Sequence, residues 1–170
     1  MDTGGETTSQ ARTEMATFGA GCFWQVEVAF REVEGVIDTA VGYEGGQVDN
    51  PTYEQVVTGT TGHVEVCQVR FDPSKVSYQE LVEKYLEIHD PTQLNRQGPD
   101  VGYQYRSVVF AHSDEQAEIA QRVIEGARDR FSAPIVTEIE PAQPFWRAEE
   151  YHQCYLEKRP RGMVGMLLGR

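Results

Sequence analysis

The sequence has few cations: 15 lysines and arginines stand against 27 aspartates and glutamates, giving a formal net charge of −12. Nucleic-acid phosphates and anionic lipid surfaces are bound by clustered cations, so this charge argues against nucleic-acid and membrane partners. Long apolar runs are also missing, since no stretch approaches the roughly 18 residues of a membrane-spanning helix. We therefore expect a soluble protein whose 170 residues form one domain.

Cysteine is scarce as well. The three thiols, Cys22, Cys67 and Cys154, are widely spaced and odd in number. This pattern argues against the paired framework of a secreted disulfide protein and favours a reducing, cytoplasmic location. Each thiol then needs its own explanation.

The two ends of the chain differ in composition from its middle. Residues 1–16 are polar and lack the apolar centre of a secretory signal, which predicts a mobile tail. Residues 161–170 form a second, glycine-containing tail. A single folded domain is expected over residues 17–160.

Strand-like and helix-like patterns alternate within this domain. Apolar residues spaced by three and four predict helices beginning near Cys22, Ser77 and Ser113, the last two with capping boxes, and a last helix is expected over residues 148–158. β-Branched and aromatic runs predict strands over residues 36–43, 63–71, 105–110 and 135–139. The order predicts an α/β or α+β fold with helices packed on a mixed sheet.

Cys22 is the strongest candidate for a catalytic residue. It follows Gly19-Ala20-Gly21, at the start of a predicted helix, where unpaired backbone N–H groups and the helix dipole favour an anion. A thiol in this position is expected to have a lowered pKa and to act as a nucleophile. The neighbouring Phe23 and Trp24 suit an apolar pocket for a small substrate group. A buried structural cysteine beside core aromatics is the alternative.

Glu65 is the second candidate. Alternation along the strand places His63, Glu65 and Cys67 on one face, and a buried carboxyl there would have a raised pKa and could donate a proton. An exposed glutamate, or one paired with Arg106, is the alternative. The same three side chains suggest a metal site, but the chain has no CxxC pair, and we expect no metal.

His152 suggests a second hypothesis for the function. A Cys22–His152 pair would suggest a cysteine hydrolase or acyl transferase, whereas His152 and Tyr155, on one face of the predicted last helix, could instead form a supporting hydrogen-bonding cluster. The supporting cluster is favoured. A non-catalytic module that binds methionine-containing peptides is the third alternative, and it would not need a nucleophile.

Short motifs stand in order along the chain: GCFW (21–24), GYEGG (42–46), NPTY (50–53), TGHVEV (61–66), HDPT (89–92), NRQGPDVGYQYRS (95–107) and AEEYHQCYL (148–156). Together they resemble the signature of the A-type peptide methionine sulfoxide reductases. The resemblance implies a ferredoxin-like mixed sheet with helices packed on it, and no bound metal or cofactor. It also implies reduction of the S epimer of methionine sulfoxide, free or in proteins, by a catalytic domain over residues 17–160.

The resemblance also implies roles for individual residues. Cys22 corresponds to the nucleophile, Glu65 to the acid that protonates the sulfoxide oxygen, and Phe23 and Trp24 to the pocket for the substrate methyl group. Other residues that it places around the substrate are Tyr53 and Tyr105 as phenols that hydrogen-bond the oxygen, Asp100 as a substrate-orienting carboxylate, and His152 and Tyr155 as supporting groups.

The chain differs from many members of this family in the residues available to recycle the oxidised thiol. Its C-terminal tail, RGMVGMLLGR, has no resolving cysteine. Cys154 is expected to attack the Cys22 sulfenic acid, giving a disulfide that thioredoxin or another dithiol reduces. Direct resolution by an external thiol is the alternative, and Cys67 is the third. The expected partners are methionine sulfoxide and thioredoxin, and the expected state is a monomer.

Overall fold

The computed structural model describes residues 12–158. The strands in this range are β1 (Glu14–Gly19), β2 (Val36–Glu44), β3 (Val64–Phe71), β4 (Arg96–Gln97), β5 (Asp100–Val101), β6 (Val108–Ala111), β7 (Glu138–Pro141) and β8 (Trp146–Arg147). The α-helices are α1 (Phe23–Arg31), α2 (Tyr53–Val56), α3 (Tyr78–Glu87) and α4 (Asp114–Ala127). Short 3₁₀ turns cover Tyr103–Tyr105, Arg128–Arg130 and Glu150–His152.

Six strands form one mixed sheet in the order β7-β6-β1-β3-β2-β8. Strands β6 and β7 are parallel, and the other neighbours are antiparallel. The central order β6-β1-β3-β2, with α1 linking β1 to β2 and α3 linking β3 to β6, is the ferredoxin-like arrangement. The predicted fold class is therefore confirmed. Strands β4 and β5 pair separately as a small hairpin.

The main core lies between this sheet and the helices α1, α3 and α4. Phe18 of β1 stacks on Phe30 of α1 and on Tyr85 of α3, with ring centroids 5.0 Å apart in both pairs. A smaller cluster of Val64, Val66, Val108 and Phe110 covers the opposite face of the sheet. Because side chains alternate along a strand, Glu65, which lies between Val64 and Val66 on β3, points toward the helices.

Local sequence signals explain where the helices begin. At α3, the Ser77 hydroxyl accepts the Glu80 N–H at 3.0 Å, and the Glu80 carboxylate accepts the Ser77 N–H at 2.8 Å, which completes the predicted capping box. At α4, Ser113 caps the helix, but the Gln116 side chain accepts the N–H of His112 instead. The second predicted capping box is therefore only half formed.

The prediction of a helix over residues 148–158 is wrong. Only a 3₁₀ turn at Glu150–His152 forms, and turns follow it. The side chain of Gln153 bonds to both the N–H and the carbonyl of Val41, and Cys154 has a left-handed backbone with φ of 51°. Hydrogen bonds to the rest of the molecule therefore replace those of a helix in this segment.

The predicted tails lie mostly outside the described residues. This applies to residues 1–11 and to residues 159–170, including the C-terminal tail. Strand β1 begins at Glu14, three residues before the expected start of the domain at residue 17. Among the helices of residues 12–158, none has the length and apolar composition that crossing a bilayer requires.

Candidate active site

Cys22 lies where strand β1 turns into helix α1. Gly21 has φ of +89°, a left-handed conformation that glycine adopts without strain. At Gly19, an added Cβ would lie 2.7 Å from the Val64 side chain, so this turn has no room for a larger residue. Cys22 occupies the N-cap position of α1 without a side-chain capping bond, and its carbonyl oxygen accepts the Gln25 N–H at 3.2 Å. The thiol thus stands at a helix start, as the glycine pattern predicts.

The surroundings of the thiol reverse the expected direction of its pKa. Burial raises the pKa of Cys22 to about 12, and the carboxylates of Glu65 and Asp100 add to the rise. Backbone N–H groups of Trp24 and Gln25 lower it, as expected at a helix start, but burial is the larger effect. The prediction of a lowered pKa is wrong because desolvation depends on packing that the helix pattern does not contain. At rest, Cys22 is a thiol.

Glu65 lies on the helix-facing side of β3, beside Cys22. It is 1% exposed, and its Oε1 accepts the backbone N–H of Phe23 at 3.2 Å. Burial raises the pKa of the Glu65 carboxyl to about 8, against the opposing effect of the Phe23 bond, and the charge of Asp100 raises it further. The carboxyl is therefore mostly protonated at neutral pH and able to donate a proton. This burial excludes an exposed glutamate, and Arg106 forms its ion pair with Glu138, at 3.4 Å, and not with Glu65.

Tyr53, Tyr105 and Asp100 lie near Cys22 and Glu65. Burial raises the pKa of Tyr53 to about 12, and the charges of Glu65 and Cys22 contribute. The pKa of Tyr105 is also raised by burial and by Glu65, Tyr53 and Asp100, so these groups interact electrostatically. Burial likewise raises the pKa of the Asp100 carboxyl. The structure thus brings together side chains that lie far apart in the sequence.

The β4–β5 hairpin carries Asp100 to this place. Asp100 pairs with Gln97 across the hairpin, and Gln97 packs directly on Gly21, where an added Cβ would lie 2.7 Å from the Gln97 Cβ. The Gln97 side chain also bonds the backbone N–H and carbonyl of Asp90, at 2.9 Å each. The hairpin is therefore anchored against the turn that holds the thiol.

Aromatic rings line the side of the site next to α1. Phe23 is buried, and its ring centroid lies 5.8 Å from that of Tyr43 and 5.2 Å from that of His152. Trp24 stacks on Tyr155 with centroids 3.7 Å apart. The Phe23 and Trp24 rings thus belong to an apolar wall beside the thiol, which suits a small apolar group of a substrate.

His152 belongs to this wall and is not aligned as a base for Cys22. The Trp24 indole N–H donates to His152 Nδ1 at 3.0 Å, so the proton of the neutral ring is on Nε2. Nε2 lies 3.9 Å from the nearer oxygen of Glu149. Burial lowers the pKa of His152. The hydrolase interpretation, which requires a Cys22–His152 pair, finds no support in this geometry.

Glu149 is a site residue that the sequence reasoning missed. Its two carboxylate oxygens accept the Tyr43 hydroxyl and the Tyr53 backbone N–H, both at 2.9 Å. These bonds fix the start of α2, which carries Tyr53, against β2. The only sequence signal was its place in the AEEYHQCYL motif.

The two other thiols lie along α1, away from its start. Cys67 is fully buried in the main core, and burial raises its pKa. Cys154 is half-buried, and its backbone N–H donates to Glu27 of α1 at 2.8 Å. All three cysteines are free thiols. Within residues 12–158, no group of three or more histidine, cysteine, aspartate or glutamate side chains is arranged to hold a metal ion.

Comparisons with known proteins point to one family. The family model described as "Peptide methionine sulfoxide reductase" matches residues 14–168. The peptide methionine sulfoxide reductase MsrA of Methanothermobacter thermautotrophicus is 62% identical over 154 residues, which cover 89% of this chain and 90% of that protein. The MsrA of Acidobacterium capsulatum is 60% identical over 146 residues, covering 85% and 94% respectively.

Solved structures agree with the sequence comparisons. The reduced form of Mxr1 from Saccharomyces cerevisiae matches with a TM-score of 0.85 and 38% identity, covering 89% of this chain and 88% of that one. Methionine sulfoxide reductase A of Corynebacterium diphtheriae matches with a TM-score of 0.84 and 40% identity, covering 89% and 77%. Mxr1 in complex with Trx2 matches with a TM-score of 0.62 and 27% identity, covering 85% of each chain. The chain belongs to the peptide methionine sulfoxide reductase family, of the A type.

Proposed function

We propose that the protein reduces the S epimer of methionine sulfoxide, free or in proteins, with Cys22 as the nucleophile and Glu65 as the proton donor. The observation that carries this proposal is the hydrogen bond from the Phe23 N–H to Glu65 Oε1. It holds a buried carboxyl, whose pKa burial raises to about 8, next to the residue that follows the thiol. A sulfoxide oxygen leaves sulfur only when protonated, and this carboxyl can supply the proton.

The remaining groups suit the other parts of the substrate. Phe23 and Trp24 supply the apolar wall for the methyl group, Tyr53 and Tyr105 supply phenol donors for the sulfoxide oxygen, and Asp100 orients the substrate. His152 and Tyr155 support the wall by holding the Trp24 ring.

The first step leaves Cys22 oxidised. Glu65 gives its proton to the sulfoxide oxygen, and the Cys22 sulfur attacks the substrate sulfur while its own proton passes to the new Glu65 carboxylate. The sulfur–oxygen bond of the substrate and the new bond between the two sulfurs then break, and the hydroxyl transfers to the Cys22 sulfur. Methionine is released, Cys22 becomes a sulfenic acid, and Glu65 is again protonated.

Recycling follows through Cys154. Attack of the Cys154 thiol on the sulfenic acid forms a Cys22–Cys154 disulfide and releases water, and a thioredoxin then reduces the disulfide. The solved complex of the related Mxr1 with Trx2 supports a thioredoxin as reductant. No metal or bound cofactor takes part in these steps.

The setting of the reaction is also a proposal. Three free thiols suit a reducing cytoplasm, and a net charge of −12 disfavours binding to nucleic acids or anionic membranes. We expect the protein to act as a monomer, with a catalytic domain over residues 17–160.

The intact mass of the reduced protein, after one pulse of methionine sulfoxide without reductant, tests the proposal. We expect one equivalent of methionine and a mass loss of about 2 Da, which marks an internal disulfide. Cys154→Ser should instead gain about 16 Da as a sulfenic acid, and Cys22→Ser should form no methionine. Cys67→Ala is the matched control and should behave as wild type. An unchanged mass in folded, reduced wild-type protein would contradict the proposed function.

A further inference from the structure

A buried carboxylate in the middle of α1 contacts the thiol assigned to recycling. Glu27 is 2% exposed, although it lies outside the substrate site. Its Oε1 accepts the backbone N–H of Cys154 at 2.8 Å, and its Oε2 accepts the Cys154 S–H at 3.9 Å. The same residue thus binds Cys154 through both the backbone and the thiol.

The hydrogen-bond directions around Glu27 identify it as an acceptor. Arg31 Nη1, which can only donate, bonds to the Thr39 hydroxyl oxygen at 3.2 Å. The Thr39 hydroxyl in turn donates to Glu27 Oε2 at 2.7 Å. Glu27 therefore accepts hydrogen bonds from Thr39 and from two donors of Cys154.

Glu27 holds Cys154 against α1, the helix whose N-cap residue is Cys22. Glu27 lies five residues after Cys22, about 7.5 Å farther along the helix axis. The left-handed backbone of Cys154, with φ of 51°, interrupts regular structure at that residue. Helical side chains lean toward the helix N-terminus, so the Glu27 carboxylate, with Cys154 bound to it, extends from α1 toward the end of the helix where Cys22 lies.

We propose that Glu27 is the general base that takes the thiol proton of Cys154 when this thiol attacks oxidised Cys22. The inference rests on the proposed function, in which Cys154 is the resolving residue. Burial and the Glu27 charge raise the pKa of Cys154, so little thiolate exists beforehand and a base in contact with the sulfur is needed.

The step balances without another reactant. The Cys154 S–H proton passes to Glu27, and the Cys154 sulfur forms a bond to the Cys22 sulfur. The sulfur–oxygen bond of the sulfenic acid breaks, and the hydroxyl leaves as water with the Glu65 proton. The Glu27 proton then returns to the Glu65 carboxylate through solvent, so that one sulfenic acid and one thiol give one disulfide and one water.

Glu27→Gln tests the role because it keeps the shape of the side chain but cannot take a proton. In single-turnover experiments we expect methionine release at the wild-type rate and disulfide formation slowed at least tenfold, toward the roughly 100-fold that a positioned base contributes. Glu157→Gln is the matched control. It breaks the 2.9 Å ion pair between Arg31 and Glu157 on the same segment, but leaves the base in place, and should form the disulfide at the wild-type rate.

The pH dependence separates a base from a structural support. In wild type, disulfide formation should not rise between about pH 6 and 8, because a carboxylate and not hydroxide takes the proton. In Glu27→Gln it should rise about tenfold per pH unit between about pH 6 and 7, as the thiolate fraction of Cys154 does while Glu65 remains mostly protonated. A tenfold rise per unit in wild type would overturn the inference, and this measurement needs no variant to fold.

The outcomes distinguish the two proposals. Absence of methionine from wild-type protein would contradict the proposed function itself. If methionine forms but Glu27→Gln makes the disulfide at the wild-type rate, only the role of Glu27 is wrong. The same holds if Glu157→Gln slows the step equally, or if peptide mapping finds Cys67, or no partner, joined to Cys22.

Discussion

At the scale of single residues, the site keeps both of the proposed reacting groups protonated at neutral pH. Burial raises the pKa of the Cys22 thiol to about 12 and that of the Glu65 carboxyl to about 8. The positions of both residues could be predicted, because a glycine turn and strand alternation are local patterns. The direction of the Cys22 pKa could not, because it depends on burial and on Glu65, which is distant in the sequence.

Glu65→Gln should separate proton donation from thiol reactivity. An amide cannot supply the proton, so we expect single-turnover methionine formation to fall roughly 100-fold or more. Alkylation of Cys22 by iodoacetamide should be retained, since it needs no acid. Glu44→Gln is the matched control, because Glu44 is another buried carboxyl, its pKa raised by burial to about 7, on the opposite face of the sheet. Normal sulfoxide reduction by Glu65→Gln would rule out the acid role.

At the scale of secondary structure elements, the start of α1 matters for activity as well as for stability. Gly21→Ala would place a Cβ 2.7 Å from Gln97, at φ of +89°, and so displace the Cys22 turn and the hairpin that carries Asp100. We expect a loss of about 1–3 kcal/mol of stability and at least a tenfold loss in kcat/KM. The measurements are thermal unfolding and steady-state reduction.

Ser77→Ala is the comparison for that variant. It removes the cap of α3, where Ser77 and Glu80 bond each other, and should cost about 1 kcal/mol of stability. Because α3 carries none of the reacting groups, kcat/KM should stay at the wild-type value. Equal losses of activity in both variants would show that the α1 turn has no special role.

A comparison of two predicted helices shows which elements can be predicted from the local sequence alone. The capping box of α3 involves residues three apart, and it forms as predicted. The helix predicted over residues 148–158 fails because Gln153 and Cys154 bond to Val41 and Glu27, more than one hundred residues away. Distant partners of this kind leave no signal in the local pattern.

At the scale of the whole molecule, the pKa of buried Glu65 links stability to pH. Its folded-state pKa of about 8 is above the value of 4.5 for an exposed glutamate, so the folded state holds a proton that the unfolded state releases. The stabilisation is present at low pH and is lost as the pH rises through 8. Each pKa unit corresponds to about 1.4 kcal/mol.

Glu65→Gln should therefore become more stable relative to wild type as the pH rises. We expect the two proteins to differ least near pH 5, and the variant to have the higher melting temperature at pH 8.5, because an amide has no proton to lose. Thermal unfolding at both pH values measures the effect. Identical pH dependence in the two proteins would show that Glu65 is not held protonated by the fold.

The global arrangement was only partly predictable. Alternating strands and helices indicate layers, and the motif resemblance indicates the ferredoxin-like fold, which the strand order confirms. The strand order itself depends on pairing between distant segments, as between β1 and β6. For the same reason Glu149, which joins Tyr43 and Tyr53, was not recognised from the sequence.

The burial of Cys22 has a consequence for survival in the conditions that create its substrate. Peroxides attack thiolates, and a thiol with a pKa near 12 offers almost none at neutral pH. The raised pKa therefore slows the reaction of Cys22 with dissolved oxidants, because little thiolate is present. Burial of the thiol thus favours survival of the protein in the oxidising conditions that form methionine sulfoxide.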